Sequence, residues 1–485
     1  MTSIDARTTS ALVRLLLAVA ILAGSIEAFA TDTASAADGK ARDGKAGQRQ
    51  RDRVRRSGEV AIVVLDDGAD PRAAAREMGV VPVRVYTNVF SGFAADLSTA
   101  VMARSSRGAR VKAIAPDSPM SATGEVVPTG VQRIGQAEVA GQATAESARK
   151  DKQSGKNGKK TKKRKSGKKS NKAKKDRKDK KDQNGENEQP VDAGSGADVA
   201  ILDSGVTASP DLPLAGGVSC LENRPTCSGS SYADLVGHGT HVAGIVAARD
   251  NDLGVVGVDP TARIWAVRVL ARGSNGAAVG WVSDVIAGLD WVYQRRGTID
   301  VVNMSLGGWM NDAGGPDDAY RLAIKRVADA GIPVVVAAGN AGQDVPDNGT
   351  GRQWAPAVYP ETIAVSAFAD SDGRPGGAGG KTCSGDLDDT FWAYSNRGSA
   401  VDIAAPGVCI LSLTPRGETV EMSGTSMAAP HVAGALAIHA AANPGASEAQ
   451  ARDWLRSVAS SNQSGPFGFG GDPDGDREPV LRLGP

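Results

Sequence analysis

From residue 197 onward the chain alternates short, unbroken apolar runs with segments in which apolar residues recur every three or four positions. Runs without polar alternation predict strands buried on both faces, and the helical periods between them predict βαβ units around a parallel sheet. Strands are expected at Val199 to Leu202, Ile264 to Leu270, Val301 to Met304, Pro333 to Ala338, Thr362 to Ala367 and Val401 to Ala404. Helices are expected at Ser283 to Arg296, stopped by Gly297, and at Asp317 to Ala330, stopped by Gly331. Two more cover Thr425 to Ala442 and Ser447 to Ala459, the last opened by a Ser447/Gln450 capping box. The pattern is that of an α/β, doubly wound parallel sheet, about 290 residues long, within the range of a single α/β domain.

A smaller unit precedes it. Val60 to Leu65 reads as a strand, Asp70-Pro71 opens a helix that Gly79 ends, and strands follow at Val83 to Tyr86 and Phe90 to Leu97. Ser98 caps a second helix and Arg110 to Ala115 closes the unit, giving βαββαβ, a small ferredoxin-like α+β fold of about 60 residues.

The near balance of 56 Lys+Arg against 55 Asp+Glu hides an asymmetry, because Arg149 to Asp182 alone holds 19 Lys+Arg and 4 Asp+Glu. Residues 143–196 carry almost no large apolar side chain, so they cannot bury enough surface to offset ordering entropy, and a disordered Lys-rich insert is expected. It is read as a solvated spacer, and such a run can adhere nonspecifically to anionic polymers or an envelope surface. No aromatic residue lies among its lysines, so no specific nucleic-acid partner is expected. Arg7 and Arg14, the apolar run Leu15 to Ile26 and Ala28-Phe29-Ala30 have the order of a signal peptide over residues 1–30, followed by a polar linker over 31–57. The protein is therefore expected to be secreted, with an uncleaved anchor as the alternative; Ala34-Ser35-Ala36 offers a second cleavage site. Four cysteines in an exported chain can pair in three ways, and spacing favours Cys220 with Cys227 and Cys383 with Cys409.

In an open parallel sheet, functional groups gather beyond the carboxyl ends of the strands, which directs attention to Asp203, Ser305, Asn340 and Pro406. Asp203 ends a strand, His238 opens a helix in His238-Gly239-Thr240-His241, and Ser426 opens another in Gly424-Thr425-Ser426-Met427-Ala428-Ala429-Pro430. A serine hydroxyl is a poor nucleophile until an imidazole takes its proton and a carboxylate fixes that imidazole. Asn340, in a Gly-flanked loop, could join the Ser426 backbone N–H as a donor to developing negative charge. Taken singly, Asp203 could be a turn former, Ser426 a helix cap and His241 a packing residue.

Together these motifs resemble the subtilisin-like serine peptidases, the subtilase family, over about Gly196 to Ser461, with the chain order Asp, His, Ser by which that family is known. The resemblance implies Asp203 as orienting carboxylate, His238 as general base and acid, Ser426 as nucleophile and Asn340 as oxyanion donor. It implies that Ser305-Leu306-Gly307-Gly308 and Ser274-Asn275-Gly276 are the two edges that pair with an extended polypeptide substrate, and that Trp354 falls at the floor of the main specificity pocket, shortening it. No catalytic cofactor is implied. A structural calcium is, held by Asp211 with Arg249, Asn251, Leu253 and Val255, whereas Asp472 to Asp476 reads as a solvated turn. Residues 58–120 resemble the inhibitor-type propeptide, an intramolecular partner of the cleft removed by self-cleavage between Asp117 and Pro128. The catalytic domain would then begin at 128–142, be interrupted by the insert and continue over 197–485 as a monomer. The competing reading is an inactive subtilase fold used for binding or adhesion.

Overall fold

The computed structural model of the protein describes residues 60–97, 111–122 and 196–483, apart from 213, 222–224, 230, 312, 316–317, 460–467 and 477. The signal segment, the linker, the helix expected after Ser98, residues 128–142 and residues 143–195 of the insert lie outside the described residues.

The first unit contains β1 (Val60–Leu65), α1 (Pro71–Met78), β2 (Pro82–Tyr86), β3 (Gly92–Asp96) and β4 (Val111–Pro116), with an antiparallel sheet ordered β2-β3-β1-β4. Helix α1 forms as its sequence demands: the Asp70 carboxylate accepts the Arg72 N–H at 2.9 Å, Pro71 fills the first turn, and Gly79 closes the helix at φ 68°. The chain then extends into β5 (Pro119–Ala122), a strand that the hydrophobic pattern did not predict.

The second unit opens with β6 (Asp198–Asp203), β7 (Leu214–Ser219), α2 (His238–Ala247), β8 (Arg263–Arg268), β9 (Leu270–Arg272) and β10 (Ala278–Trp281). It continues through α3 (Val282–Gln294), β11 (Val301–Met304), β12 (Leu306–Asn311), α4 (Ala319–Ala328), β13 (Val334–Ala337) and β14 (Arg352–Ala355). The remainder is β15 (Ile363–Ala369), β16 (Thr390–Phe391), β17 (Ile403–Val408), the hairpin β18 (Ile410–Leu413) and β19 (Thr419–Met422), α5 (Thr425–Ala442) and α6 (Glu448–Val458). The main sheet runs β16-β15-β13-β11-β6-β8-β7, with β17 also on β15, and every pairing except β15 with β16 is parallel.

Both faces of this sheet are covered, which is why its strands are unbrokenly apolar. Val199 and Ile201 point into the core shared with α2 and α5, while Ala200 and Leu202 point into the core shared with α3 and α4. The expected elements are present with shifted ends. Helix α3 stops at Gln294 with Arg295 at its cap, short of Gly297, and α4 starts at Ala319 because Asp318 caps it. Pro406 lies inside β17 and not beyond it; β17 is an outer strand, where a residue without an N–H is tolerated. Both cysteine pairings favoured by spacing are present as disulfides.

The small unit docks on α3. Asp290 accepts the N–H groups of Thr87, Asn88 and Val89 at 3.3, 2.8 and 3.1 Å and the Asn88 side-chain amide at 2.7 Å. Helix α3 has no capping side chain of its own at its first turn, and Asp117 supplies one, accepting the Ser283 N–H at 2.9 Å and its hydroxyl at 2.6 Å. Arg84, buried, pairs with Asp284 and donates to the Cys220 carbonyl.

Candidate active site

Strand β6 delivers Asp203 fully buried, and α2 begins at His238, so the imidazole Nδ1 stands 2.9 Å from both carboxylate oxygens. Bringing a helix this near a strand end requires glycine: a Cβ on Gly239 would lie 2.1 Å from the Gly205 carbonyl oxygen and 3.0 Å from the Asp203 Cβ. The helix start is fixed from outside by Asp234. One of its oxygens accepts the Val236 and Gly237 N–H groups and the Ser204 hydroxyl, and the other accepts the Thr240 N–H and hydroxyl. Ser204 in turn accepts the Gly239 N–H at 3.0 Å. This Asp234–Ser204 support was not anticipated; its sequence signal was an acidic residue shortly before a helix that lacks an N-capping side chain.

Helix α5 packs against both α2 and β6 and carries Ser426 in its first turn. Pro430 has no N–H, so the Ser426 carbonyl loses its intrahelical donor. The Ser305 hydroxyl replaces that donor at 2.8 Å, and the Ser426 hydroxyl donates to the Ser305 carbonyl at 3.0 Å. The end of β11 and the start of α5 are thereby locked together. Asn340 follows β13; its Oδ1 accepts the Thr425 N–H at 3.0 Å and hydroxyl at 2.8 Å, which leaves the NH₂ group as the donor end of the side chain. Thr425 also accepts the Gly339 N–H at 3.0 Å. Residues far apart in the chain, Asp203 with His238 and Ser305 and Asn340 with the first turn of α5, are thus joined pairwise.

Two of the other histidines, His241 and His431, are structural. His241 is buried and its Nε2 lies 3.1 Å from the Val420 carbonyl; burial, reinforced by the nearby His238, pushes its pKa down to about 3. His431 packs its Nδ1 2.8 Å from the Met427 carbonyl, and burial lowers its pKa to about 4. Both stay neutral near pH 7 and are poor candidates for proton transfer there.

A second sheet runs β14-β12-β5-β10-β9. The intruding strand β5 is antiparallel to both neighbours, with Ser121 opposite Gly307 and Ala122 opposite Leu306 on one side, and Pro119, Met120 and Ser121 opposite Trp281, Gly280 and Val279 on the other. Of the expected edge Ser305 to Gly308, Ser305 precedes β12, Leu306 and Gly307 pair with β5, and Gly308 pairs with Ala355 of β14. The edge expected at Ser274-Asn275-Gly276 is corrected: those residues form the turn between β9 and β10, where Asn275 accepts the Ala277 N–H, and the pairing strand is Ala278–Trp281. A hairpin turn bends its backbone groups away from a neighbour, so only the strand after it can extend a sheet.

Asp211 and the 249–255 loop are adjacent. The Arg249 N–H donates to the Asp211 carbonyl, the Val255 N–H to Asp211 Oδ2 at 3.3 Å, and Asn251 reaches Pro210. The Asp211 carboxylate is buried, its pKa is raised by that burial, and its Oδ1 has no hydrogen-bond partner among the described residues. An orphaned, buried carboxylate oxygen is a donor of the kind a calcium ion takes. A separate trio of carboxylates, Asp370, Asp372 and Asp388, also converges. Among the described residues no helix is long and apolar enough to cross a membrane.

Subtilisin amylosacchariticus of Bacillus subtilis subsp. amylosacchariticus is 40% identical over 267 residues, covering 55% of this chain and 61% of that protein. The chain thus spans less than two thirds of that relative's length. Subtilisin of Bacillus pumilus is 39% identical over 267 residues, 55% of this chain and 84% of that protein. A crystal structure of a cold adapted subtilisin-like serine proteinase is 29% identical, with 59% of this chain and 88% of that chain covered at a TM-score of 0.45. The profile of the Subtilase family matches residues 194–470, more than half of the chain and the whole span from β6 to the loop after α6, so the chain belongs to the subtilase family.

Proposed function

We propose that the protein is a secreted, self-processing serine endopeptidase. The observation that carries this reading is the Asp203–His238 pair at 2.9 Å, supported by an extended segment, β5, paired between β10 and β12, the strand that follows Ser305, whose carbonyl accepts the Ser426 hydroxyl. In the proposed reaction Ser426 Oγ attacks the scissile carbonyl while His238 Nε2 takes its proton. Asp203 holds the imidazole by Nδ1 and stabilises its cation. The Asn340 NH₂ and the Ser426 N–H receive the oxyanion. The C–N bond breaks as His238 returns the proton to the leaving amine, and water then hydrolyses the acyl-enzyme by the same proton path. No step calls for a metal. Calcium, held by Asp211 and the 249–255 loop, would stabilise that loop.

The small unit, anchored through Asp290 and Asp117, acts in this reading as a propeptide that occupies the cleft during export, and the Lys-rich insert is a spacer with nonspecific affinity for anionic surfaces. The test is intact mass and casein hydrolysis on the exported protein beside Ser426→Ala, with a serine-directed covalent inhibitor. The parent should lose roughly its first 120 residues, a length set by the end of β5, cut casein and gain one adduct, while Ser426→Ala stays long and inert. If both stay full length and neither cuts nor labels, the chain is a binding module.

A further inference from the structure

The segment that carries Ser426 is fastened to a surface loop by one of the two disulfides, which bears on activity under the endopeptidase reading above. Strand β17 ends at Val408 and β18 begins at Ile410, so Cys409 alone lies between them, and it holds φ 66°, a backbone conformation unusual for a residue with a side chain. Across the hairpin Met422 pairs with Ile410, and regular pairing then stops. The Cys409 N–H donates to the Ser423 hydroxyl at 2.9 Å, and the Gly424 N–H donates to the Gly407 carbonyl at 2.7 Å. A Cβ on Gly407 would lie 2.9 Å from the Gly424 carbonyl oxygen and 3.2 Å from the Ala428 Cβ, so the end of β17 rests directly on the first turn of α5. Ser426 lies two residues beyond Gly424, and Thr425 between them binds Asn340. The backbone at 407–409 thus helps set where both groups stand.

The two halves of the disulfide differ in access. Cys409 is 3% exposed, whereas its partner Cys383 lies at the surface. Cys383 belongs to the 370–389 loop, which is braced by its own carboxylates. Asp388 accepts the Ser371 and Gly379 N–H groups, both at 2.7 Å, and Asp389 accepts those of Gly376 and Gly377 at 2.6 and 2.8 Å. Hydrogen bonds to ionised carboxylates are among the stronger ones, so this loop has a shape of its own to which Cys409 is tied.

We propose that Cys383–Cys409 is a thiol-exchange site through which an external dithiol lowers the turnover of the enzyme. A thiolate of the dithiol attacks the accessible Cys383 Sγ. The S–S bond breaks, its electron pair leaves with Cys409, which takes up a proton, and a mixed disulfide remains on Cys383. The second thiolate of the dithiol then attacks its own sulfur in that mixed disulfide and releases Cys383 as a thiolate. The dithiol ends as a cyclic disulfide, oxidised by two electrons, and the protein disulfide is reduced by two. Cys409, no longer tied to the braced loop, leaves the left-handed region, and the bonds from 407 and 409 to Ser423 and Gly424 loosen with it. Ser426 and Asn340 lose their placement relative to His238, which lowers kcat, while β10 and β12 are untouched and KM holds. A disulfide oxidant reverses the exchange.

The test reduces the self-processed protein with dithiothreitol under native conditions and follows steady-state casein hydrolysis, with iodoacetamide labelling of each cysteine mapped by mass. As Cys383 and Cys409 become labelled, kcat should fall roughly 10- to 100-fold, the scale of a small misplacement at the reacting groups, with KM little changed. Amide exchange at Gly424 and Thr425 should quicken while β6 keeps its protection, and oxidised dithiothreitol should restore kcat in unlabelled aliquots. Glycine adopts φ 66° freely and alanine does not, so Cys383→Ala with Cys409→Gly should keep most of kcat in either redox state. Cys383→Ala with Cys409→Ala should have the low kcat of the reduced protein. If either double variant does not fold, the reduction series on the unaltered protein decides. A Cys383–Cys409 pair that resists dithiothreitol, one fully reduced with kcat unchanged, or a loss of kcat that tracks labelling of Cys220 and Cys227 overturns this inference and leaves the endopeptidase reading standing. A protein that neither cuts casein nor takes up the serine-directed inhibitor overturns both.

Discussion

Asp290 is the sharpest place to perturb the contact between the two units. It sits buried on α3 and receives three consecutive backbone N–H groups, those of Thr87, Asn88 and Val89, together with the Asn88 amide. Hydrogen bonds to an ionised carboxylate contribute about 1.5–3 kcal/mol each when buried, but three of these share one oxygen and the segment around Asn88 is partly exposed. Water can therefore replace part of what Asp290→Ala removes, and the sum is far from additive. We expect a net loss of about 3 kcal/mol, which corresponds to roughly a 150-fold change in the docking equilibrium. The assay is amide hydrogen exchange in a Ser426→Ala background, so that self-cleavage cannot interfere. Protection at residues 85–93 should fall by roughly 100-fold in Asp290→Ala, while the amides of β6 and β11 keep theirs. Asp290→Asn retains an acceptor and should lose about half as much in free energy. If protection at residues 85–93 is unchanged in an Asp290→Ala protein whose catalytic unit is folded, the small unit is held by its apolar face alone and the reasoning fails.

Three further outcomes are expected. Asn340→Ala should lower kcat by roughly 10²–10³, the loss recorded for one oxyanion donor in subtilisin, with KM little changed in steady-state kinetics. The pH dependence of stability follows from the buried histidines. Folded-state values of about 3 for His241 and about 4 for His431 lie below the unfolded value, so only the unfolded chain takes up protons as the pH falls from 6.5 toward 4. Each should then cost about 1.4 kcal/mol per pH unit over that window, and His431→Gln should flatten the slope of melting temperature against pH by about half. Chelation of calcium should lower the melting temperature, by an amount equivalent to about 2.7 kcal/mol if the ion stood at 100 times its dissociation constant, and Asp211→Asn should abolish the difference between chelated and calcium-loaded protein.

The strands of the main sheet were legible in the sequence because each is buried on both faces and must be apolar throughout, as in β6 and β13. The caps were legible for a local reason: Asp70, Ser447 and Gly79 act on backbone groups within a few residues of themselves. Strand β5 was not legible. Its four residues, Pro-Met-Ser-Ala, have neither alternation nor length, and they form a strand only because β12 and β10 offer free edges on either side. The misplaced edge at Ser274 to Gly276 has the same origin, since turn and strand differ there by two residues and only pairing decides between them.

The site divides along the same line. The types and order of Asp203, His238, Asn340 and Ser426 are written in the sequence, because each lies in a short motif where a strand ends or a helix begins. Their supports are not. Asp234 against Ser204, Ser305 beneath the Ser426 carbonyl freed by Pro430, Thr425 against Asn340, and Asp117 at the first turn of α3 act across separations of 30 to 166 residues. The sequence by itself determined which chemical groups the protein carries and which local segments become strands and helices, since those depend on side-chain type and near-neighbour backbone geometry. Only the tertiary structure decided that Trp354 lies between Gly307 and Gly339 and that β5 pairs between β10 and β12 in one register, because both follow from which distant backbones come close enough to exclude everything else.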